Sequence, residues 1–352
     1  MKVEPDFVTY ATLNEKISTS IASGSGYDVL VTGIGWIQPF AAKGVFQKLD
    51  KHGVTPDSLA KEVTQAMVPA VTYKDAIYGY PLTVDARAVA LRKSAFEKAG
   101  LDWTKPPTSM TELKKVAEQL TVKNAAGTIT RPGFDFNSSA GGYRQAFITF
   151  LGSTGNSLYK SGKENFNNAA GVETLNWMKS MFGDVQPFGQ QNAAQKPMVF
   201  TGDAAMGLVG SSVDCSAKGY GKANCDDLSY FLMDSGKKAM LVGGNLASIG
   251  AGTKYSDPAW AFIEALKSPQ ALEEQSSLNM QIPATKDTSK SAIAQSNPLS
   301  QFVAKNLGLA IYEGGSTNWL DVRKEFNSGI DEVILGKRTA KEVLASLASQ
   351  SK

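Results

Sequence analysis

Four stretches of the chain repeat apolar residues at the spacing of one helix face. In the first stretch, Ser109 and Glu112 stand ahead of the apolar positions at the spacing of a capping box. In the second, Asp257 and Pro258 occupy the places preferred for an N-cap and a first helical residue. The pattern therefore predicts helices over 109–120, 257–268, 319–336 and 339–347.

Short apolar runs bounded by glycine and small polar residues predict strands over 27–34, 77–84, 204–210 and 239–250. The opening MKVEPDFVTY reads as a further interior strand. Because strands alternate with helices, the sequence predicts an α/β fold with mostly parallel sheets. In open α/β sheets, ligands bind outside the carboxyl ends of the strands. We therefore expect a site near the glycine-containing strand ends 32–36, 210–212 and 243–245.

Two charged residues, Asp85 and Arg87, follow the strand predicted over 77–84. An acid and a base in this position are compatible with a catalytic pair, a salt bridge or a polar contact for a ligand. Glycoside hydrolysis needs only two suitably spaced carboxyl groups, and Asp85 is the best single candidate for one of them. A carbohydrate-processing enzyme is therefore kept as an alternative.

Composition narrows the class of protein. The 352 residues are enough for about two domains of roughly 150 residues each. The net charge of +3 comes without a dense basic stripe, so we expect no nucleic-acid partner. The chain has a single histidine, His52, and lacks the phosphate-binding glycine motifs, so we expect no HExxH zinc site and no nucleotide cofactor. We expect no metal and no other cofactor.

The two cysteines, Cys215 and Cys225, flank a glycine-containing loop. No CxxC motif and no nearby histidine accompany them, which argues against a zinc site. In an oxidising compartment they would form one disulfide, and otherwise they would be two free thiols.

Aromatic residues adjoin several glycine-rich turns. Trp36 follows TGIG, Trp319 follows YEGGSTN, and Tyr143 and Arg144 follow two glycines. Carbohydrate sites combine flat aromatic surfaces with polar hydrogen-bonding groups. This pattern favours a sugar site with Trp36 and Trp319 as stacking surfaces, although a tryptophan in a protein core is the ordinary alternative.

The order of motifs along the chain resembles the family 1 extracellular solute-binding proteins of bacterial ABC importers, the maltose-binding type. The segments YGYPLTVDARAVALRKSAFEKAG and FTGDAAMGLVGSS carry much of the resemblance. It covers nearly the whole chain in order, through 27–50, 77–121, 150–159, 200–212, 240–270 and 334–347.

The resemblance implies a type II periplasmic-binding-protein fold, in which two α/β lobes joined by hinge crossovers enclose a ligand cleft. It implies an N-terminal lobe of 1–87 and 243–297 and a C-terminal lobe of 88–242 and 298–352. The family opens with a strand and a helix ahead of the segment that resembles KVEPDFV, and neither is present in this chain. We also see no signal peptide, so either an export segment was removed or the start is displaced. An unpaired strand position in the N-terminal lobe, or an incomplete lobe, is therefore predicted.

The resemblance also implies which residues line the cleft. Asp85 and Asn245 would receive sugar hydroxyls, and Ser212 stands where the family often has a tryptophan, which implies a smaller or more polar ligand. Arg87 and Arg144 suit an acidic or phosphorylated sugar, although Arg87 would equally form a salt bridge with Asp85. The implied ligand-binding residues are Thr32, Trp36, Asp85, Arg87, Tyr143, Arg144, Ser212, Gly243, Gly244, Asn245 and Trp319.

The function implied is that of a monomeric substrate-binding subunit of an ABC importer. It would bind a mono- or oligosaccharide and deliver it to the membrane permease, with no catalytic residues. Its location would be periplasmic, or extracellular and membrane-anchored. A glycosidase-like enzyme and a chemoreceptor-type sensor are the alternatives.

Overall fold

A computed structural model describes residues 2–137, 143–189 and 196–351 of the chain. Its helices are α1 (Tyr10–Ala22), α2 (Ile37–Ala42), α3 (Pro56–Glu62), α4 (Val68–Val71), α5 (Lys93–Lys98), α6 (Met110–Leu120), α7 (Arg144–Ser153), α8 (Ala169–Met181), α9 (Met198–Thr201), α10 (Lys222–Asp226), α11 (Ser256–Leu266), α12 (Pro269–Asn279), α13 (Ala292–Ser296), α14 (Pro298–Asn306), α15 (Trp319–Ile334) and α16 (Ala340–Gln350). Short 3₁₀ turns cover Asp50–His52, Gln65–Met67, Thr288–Lys290 and Leu307–Leu309.

The strands are β1 (Val29–Gly33), β2 (Thr72–Tyr73), β3 (Ala76–Ile77), β4 (Tyr80–Pro81), β5 (Thr83–Arg92), β6 (Val122–Lys123), β7 (Ile129–Arg131), β8 (Phe134–Asp135), β9 (Tyr159–Lys160), β10 (Lys163–Glu164), β11 (Met206–Gly210), β12 (Leu228–Phe231), β13 (Met240–Gly243), β14 (Asn245–Ile249), β15 (Ile282–Pro283) and β16 (Ala310–Tyr312). One open sheet has the order β1-β14-β4. A second has the order β16-β13-β5-β11-β8, and β12 and β15 also pair with β5. The mixed α/β class with open sheets is therefore as predicted.

The ten-residue strand β5 organises the second sheet. Its first residues pair with β15, Asp85 and Ala86 pair with β13, and its later residues pair with β11 and β12. At about 3.3 Å per residue, the strand is about 33 Å long, enough to offer different sections to different partners. Asp85 and Arg87 therefore lie within a strand and do not follow one. The division of the chain into lobes at 87/88, 242/243 and 297/298 stays a prediction.

The prediction of mostly parallel sheets is wrong. Among the strand pairs of the described residues, only β8–β11 and β13–β16 are parallel. The reason is that β5 is the common partner of β11, β12, β13 and β15, and each of these runs antiparallel to it.

Local chemistry explains where the strands depart from the predicted runs. The run 77–84 is divided among β3, β4 and the start of β5. Pro81 lies inside this run, and it has no N–H to give to a continuous ladder. The run 239–250 is divided into β13 and β14 at Gly244, which has φ +145°.

The N-terminal segment is not the strand that its sequence predicted. Residues 2–9 have no regular structure and α1 begins at Tyr10. The segment is held by Asp6, which accepts hydrogen bonds from Lys16 and Tyr27. In the part of the chain that the structure describes, β1 pairs only with β14, and Val31 on β1 is 46% exposed. β1 is therefore an edge strand of its sheet.

The predicted helices form, with small differences at their starts. Ser109 caps α6 by accepting from the backbone of Glu112, whereas the Glu112 carboxylate bonds to Thr108. Helix α11 begins at Ser256, so Asp257 lies in its first turn and is not its N-cap. No helix among the described residues is long and apolar enough to cross a membrane.

A disulfide joins Cys215 to Cys225. It ties the segment that follows β11 to helix α10, in which Cys225 is buried. Of the two states considered for these cysteines, the structure has the disulfide.

Candidate functional site

A cavity of about 630 Å³ lies where the two sheets meet. Helices α1, α7 and α15, the turn after β1 and the strands β5, β13 and β14 all contribute to its walls. The lining residues are Tyr10, Asn14, Gly33, Ile34, Gly35, Trp36, Asp85, Arg87, Arg144, Gln145, Leu241, Val242, Gly243, Gly244, Asn245, Gln281, Glu313, Leu320, Arg323, Lys324 and Asn327.

One wall of the cavity carries the ion pair between Asp85 and Arg87. The Arg87 Nη1 to Asp85 Oδ2 distance is 2.7 Å. The other oxygen of Asp85 accepts hydrogen bonds from the backbone N–H and hydroxyl of Ser211, at 3.2 and 3.0 Å. Arg87 Nε donates to Gln145 Oε1 at 2.8 Å. The salt bridge considered for Arg87 is thus present, and both side chains are held rigidly at the cavity wall.

A second charged group is built around Glu313. Its two oxygens accept from Arg323 Nε at 2.9 Å and from Arg144 Nη2 at 3.3 Å. Arg144 also donates to Asn327 Oδ1 and is only 1% exposed. Burial lowers the pKa of the Arg144 guanidinium, while the neighbouring Glu313 carboxylate opposes that shift. The Glu313 carboxylate therefore forms ion pairs with two guanidinium groups at this wall.

The positive and negative charges of the cavity's lining residues are unequal in number. The described lining residues include four cations, Arg87, Arg144, Arg323 and Lys324, against the two carboxylates of Asp85 and Glu313. The cavity thus has an excess of two positive charges. Such an excess attracts anionic or strongly polar ligands.

A hydrogen-bond network fixes the strands that border the cavity. Asn245 Nδ2 donates to Gln281 Oε1 at 3.0 Å, and the Thr83 hydroxyl donates to the same oxygen at 2.8 Å. The Tyr10 hydroxyl donates to Asn245 Oδ1. Next to Asn245, a Cβ on Gly244 would lie only 2.0 Å from the Thr83 carbonyl oxygen, so β5 and this turn approach as closely as glycine allows.

The two glycine-rich turns meet each other beside the cavity. A Cβ on Gly35 would lie 3.1 Å from the Glu313 carbonyl oxygen and 3.2 Å from Trp319 Nε1. A Cβ on Gly314 would lie 3.2 Å from Gly35 Cα. A smaller cavity of about 300 Å³ shares Ile34, Gly35 and Glu313 with the larger one. The contact between these turns therefore separates two spaces along one cleft.

Seven of the predicted ligand-binding residues line the larger cavity: Trp36, Asp85, Arg87, Arg144, Gly243, Gly244 and Asn245. Their roles toward a ligand stay predictions. Gly141 and Gly142, which precede Tyr143 in the sequence, lie outside the described residues.

The predicted role of Trp319 as a stacking surface is wrong in this structure. Trp319 is fully buried, and its ring packs against those of Tyr159 and Phe326. Tyr143 is likewise 2% exposed, because its ring packs among Phe136 and other aromatic rings of the core. Neither ring has a free face to offer to a ligand.

Thr32 and Ser212 also lie away from the cavity. Thr32 is fully buried in β1, and Ser212 is exposed outside the lining residues. The neighbour Ser211 instead bonds to Asp85. Adjacent residues of an extended chain point to opposite sides, so an error of one position changes the environment completely.

Sequence reasoning missed several lining residues: Tyr10, Asn14, Gln145, Gln281, Glu313, Lys324, Asn327 and Arg323. Arg323 carried a usable signal, because it interrupts the apolar face of α15 next to Val322 and Phe326. Glu313 also follows directly on β16, at the kind of strand end where sites were expected. Among the described residues, no group of three or more His, Cys, Asp or Glu side chains is arranged to hold a metal ion.

Comparisons with known proteins agree on one family. The profile of the family described as bacterial extracellular solute-binding protein matches residues 1–301. The chain is similar to a protein of Brucella abortus described as a binding protein, with 29% identity over 115 residues, 33% of this chain and 27% of the relative. It is also similar to the maltotriose-binding protein of Pyrococcus abyssi, with 23% identity over 278 residues, 74% of this chain and 55% of the relative. The chain therefore spans about half or less of these relatives' lengths.

A solved structure gives the same fold. The ABC transporter solute-binding protein of Agrobacterium radiobacter, in complex with ribitol, has a TM-score of 0.80 and 21% identity to this chain. The similarity covers 99% of this chain and 90% of that protein. The two-lobe fold predicted from the sequence is thereby confirmed.

Proposed function

This chain belongs to the bacterial extracellular solute-binding protein family, and from that premise we propose that it binds a carbohydrate in the larger cavity and delivers it to the permease subunits of an ABC importer. The observation that carries the proposal is the cavity itself, which is walled by both sheets and by the strands that connect them. A ligand that contacts both walls stabilises the closed arrangement by its differential affinity.

The chemistry of the walls supports a polyhydroxylated ligand. Carboxylates, guanidinium groups and amides line the cavity, and groups of these kinds form directional hydrogen bonds with hydroxyl groups. The names of two similar proteins, a maltotriose-binding protein and a solute-binding protein in complex with ribitol, point to the same class of compound.

Within that class, the excess of two positive charges supports an acidic or phosphorylated sugar. Arg87 and Arg323 each pair with a carboxylate, but the Arg323 side chain is 26% exposed against 14% for Arg87, so Arg323 is the better candidate for contact with an anionic group. Arg323 lines the cavity, and it shares the carboxylate of Glu313 with Arg144.

We propose a binding role without turnover. The family consists of substrate-binding proteins, and the Asp85 carboxylate is held by Arg87 and Ser211 in a rigid structural arrangement. The disulfide suits an oxidising compartment, which supports a periplasmic or membrane-anchored extracellular location.

A melting-temperature screen of the purified chain tests the proposal. The panel contains glucose, mannose, maltose, ribitol, glucuronate and a hexose phosphate. A ligand at about a hundred times its Kd stabilises the folded protein by about 2.7 kcal/mol. We expect at least one of these compounds to raise the melting temperature and to be recovered unchanged after long incubation. If none shifts the melting temperature, carbohydrate binding is refuted, and if the sugar is converted, the enzyme alternative replaces it.

Two matched arginine variants test the anionic class. Arg323→Gln removes a cavity cation, whereas Arg338→Gln removes a surface cation that pairs with Glu332. We expect only Arg323→Gln to weaken binding of glucuronate relative to glucose. If wild-type protein binds neutral sugars as well as acidic ones, the anionic preference is wrong while carbohydrate binding stands.

A further inference from the structure

The cavity wall includes two aromatic residues among its described lining residues, Tyr10 and Trp36. They differ in what they offer to a ligand. Trp36 is 4% exposed and packs against Phe40 and Tyr10, so its surface is almost entirely used by the core. Tyr10 is 48% exposed. Of these two lining aromatic residues, Tyr10 is therefore the one with substantial exposed surface.

The Tyr10 ring is held in place at three points. Its hydroxyl donates to Asn245 Oδ1, and its ring meets Trp36 at a centroid distance of 5.9 Å and an interplanar angle of 62°. The ring also lies over Gly33, where a Cβ would come within 3.4 Å of Tyr10 Cε1. Tyrosine has only two side-chain torsions, so these contacts leave it little freedom to lose on binding.

The surroundings of Tyr10 are polar. Asn14 follows it by one helical turn on α1 and lines the same cavity. Burial of the hydroxyl and the nearby Asp85 carboxylate raise the pKa of Tyr10 to about 12, and the Arg323 guanidinium opposes this. Tyr10 is thus about half exposed as a residue, its hydroxyl is bonded to Asn245, and a carboxylate and a guanidinium lie within electrostatic range.

We propose that Tyr10 is the aromatic surface on which the ligand packs, the role that was predicted for Trp36 and Trp319. This inference rests on the proposed function. The ligand it selects is a cyclic sugar with an apolar C–H face, which lies on the ring while its hydroxyls reach Asn14 and the polar wall. An open-chain polyol has no such face and gains less from the ring.

Tyr10 also links the ligand to the strand connections. Its hydroxyl bonds to Asn245, which bonds to Gln281, which in turn bonds to Thr83 on β5. A sugar packed on the Tyr10 ring therefore contacts a side chain that is hydrogen-bonded, through Asn245 and Gln281, to the start of β5. Tyr10 is a specificity-determining residue in this proposal, and Asn245 is the positioning residue behind it.

Substitutions at Tyr10 test the proposal by isothermal titration with glucose and glucitol, and with mannose and mannitol, as paired cyclic and open-chain probes. Tyr10→Ala and Tyr10→Leu remove the flat ring, and we expect each to weaken binding of the cyclic sugar by roughly tenfold or more. Tyr10→Phe keeps the ring and loses only the hydroxyl, so its affinity should stay within about threefold of wild type. The control is Tyr255→Ala, which removes a tyrosine that is 62% exposed and lies outside the cavity.

The preference for cyclic over open-chain probes separates a contact role from a structural one. We expect that preference to fall in Tyr10→Ala and Tyr10→Leu and to persist in Tyr10→Phe and Tyr255→Ala. If Tyr10→Leu folds with wild-type stability and binds the cyclic sugar like wild type, Tyr10 is not the ligand surface, although the proposed function stands. If wild type binds neither kind of probe nor any sugar of the wider panel, the proposed function fails first.

Discussion

Gly244 allows a sharp test of how the cavity-bordering strands are held together. Its φ of +145° belongs to a region that residues with a side chain rarely adopt. A Cβ at this position would lie 2.0 Å from the Thr83 carbonyl oxygen, which is backbone and cannot rotate away. Gly244→Ala therefore forces β5 and the turn before β14 apart by more than an ångström.

The cost follows from what that movement disrupts. The backbone strain alone is about 1–3 kcal/mol. The displacement also disturbs two hydrogen bonds, from Leu82 N to Asn245 O and from Asn245 N to the Thr83 hydroxyl, each worth about 1 kcal/mol. We therefore expect Gly244→Ala to lower the free energy of unfolding by about 3–5 kcal/mol.

The neighbouring Gly243 provides the control. A Cβ there would lie 3.7 Å from the Asp85 carbonyl oxygen, an ordinary contact. Gly243→Ala should change the free energy of unfolding by less than about 1 kcal/mol. The assay is equilibrium urea unfolding, with the midpoints compared at equal slope. If the two variants differ by less than about 0.5 kcal/mol, the close approach at Gly244 does not limit stability and the reasoning is refuted.

Three further results are expected. A Cys215→Ser and Cys225→Ser double variant, which lacks the disulfide, should have a free energy of unfolding about 3 kcal/mol lower, because the cysteines are separated by 10 positions. Urea unfolding of the wild type under reducing conditions should show the same loss. Gly35→Ala adds a Cβ 3.1 Å from a backbone carbonyl of the opposite turn, so it should weaken carbohydrate affinity severalfold in isothermal titration. Because folding raises the pKa of Tyr10 from 10.0 to about 12, the stabilising contribution of its protonated hydroxyl is complete below pH 10 and is lost as the pH rises to about 12. A near-ultraviolet titration follows the ionisation of the tyrosines, and Tyr10→Phe should remove the component that titrates near pH 12. Equal alkaline transitions in wild type and Tyr10→Phe would contradict the last of these.

Features that depend on neighbouring residues were predictable from the sequence. The periodic helices formed because spacing and caps act within one or two turns, as in the pair Thr339 and Glu342, which bond to each other reciprocally at the start of α16. The glycine turn 243–245 lies at the cavity, and its sequence carried a signal, since glycine after a buried strand marks a close backbone approach.

Features that depend on distant partners were not predictable. Trp319 and Trp36 have similar glycine-rich surroundings in the sequence, yet one is fully buried and the other reaches the cavity wall. Trp319 is covered by the rings of Tyr159 and Phe326. Tyr159 comes from a distant part of the chain, and Phe326 comes from a later turn of α15. Tyr10 was missed for the same reason, because its cavity position depends on Asn245, 235 residues away.

The pairing of β5 has a consequence for how the chain acquires its structure. The partner of β5 that is nearest in sequence begins at Met206, which pairs with Leu91 from 115 positions away. A ribosome that adds about 5–20 residues per second needs roughly 6–23 s to supply that partner. During this interval the apolar run 88–91 lacks its partner strands β11 and β12, and such unpaired segments promote aggregation. We therefore expect folding to be slow and late, and a holding chaperone to bind nascent chains that end before residue 206.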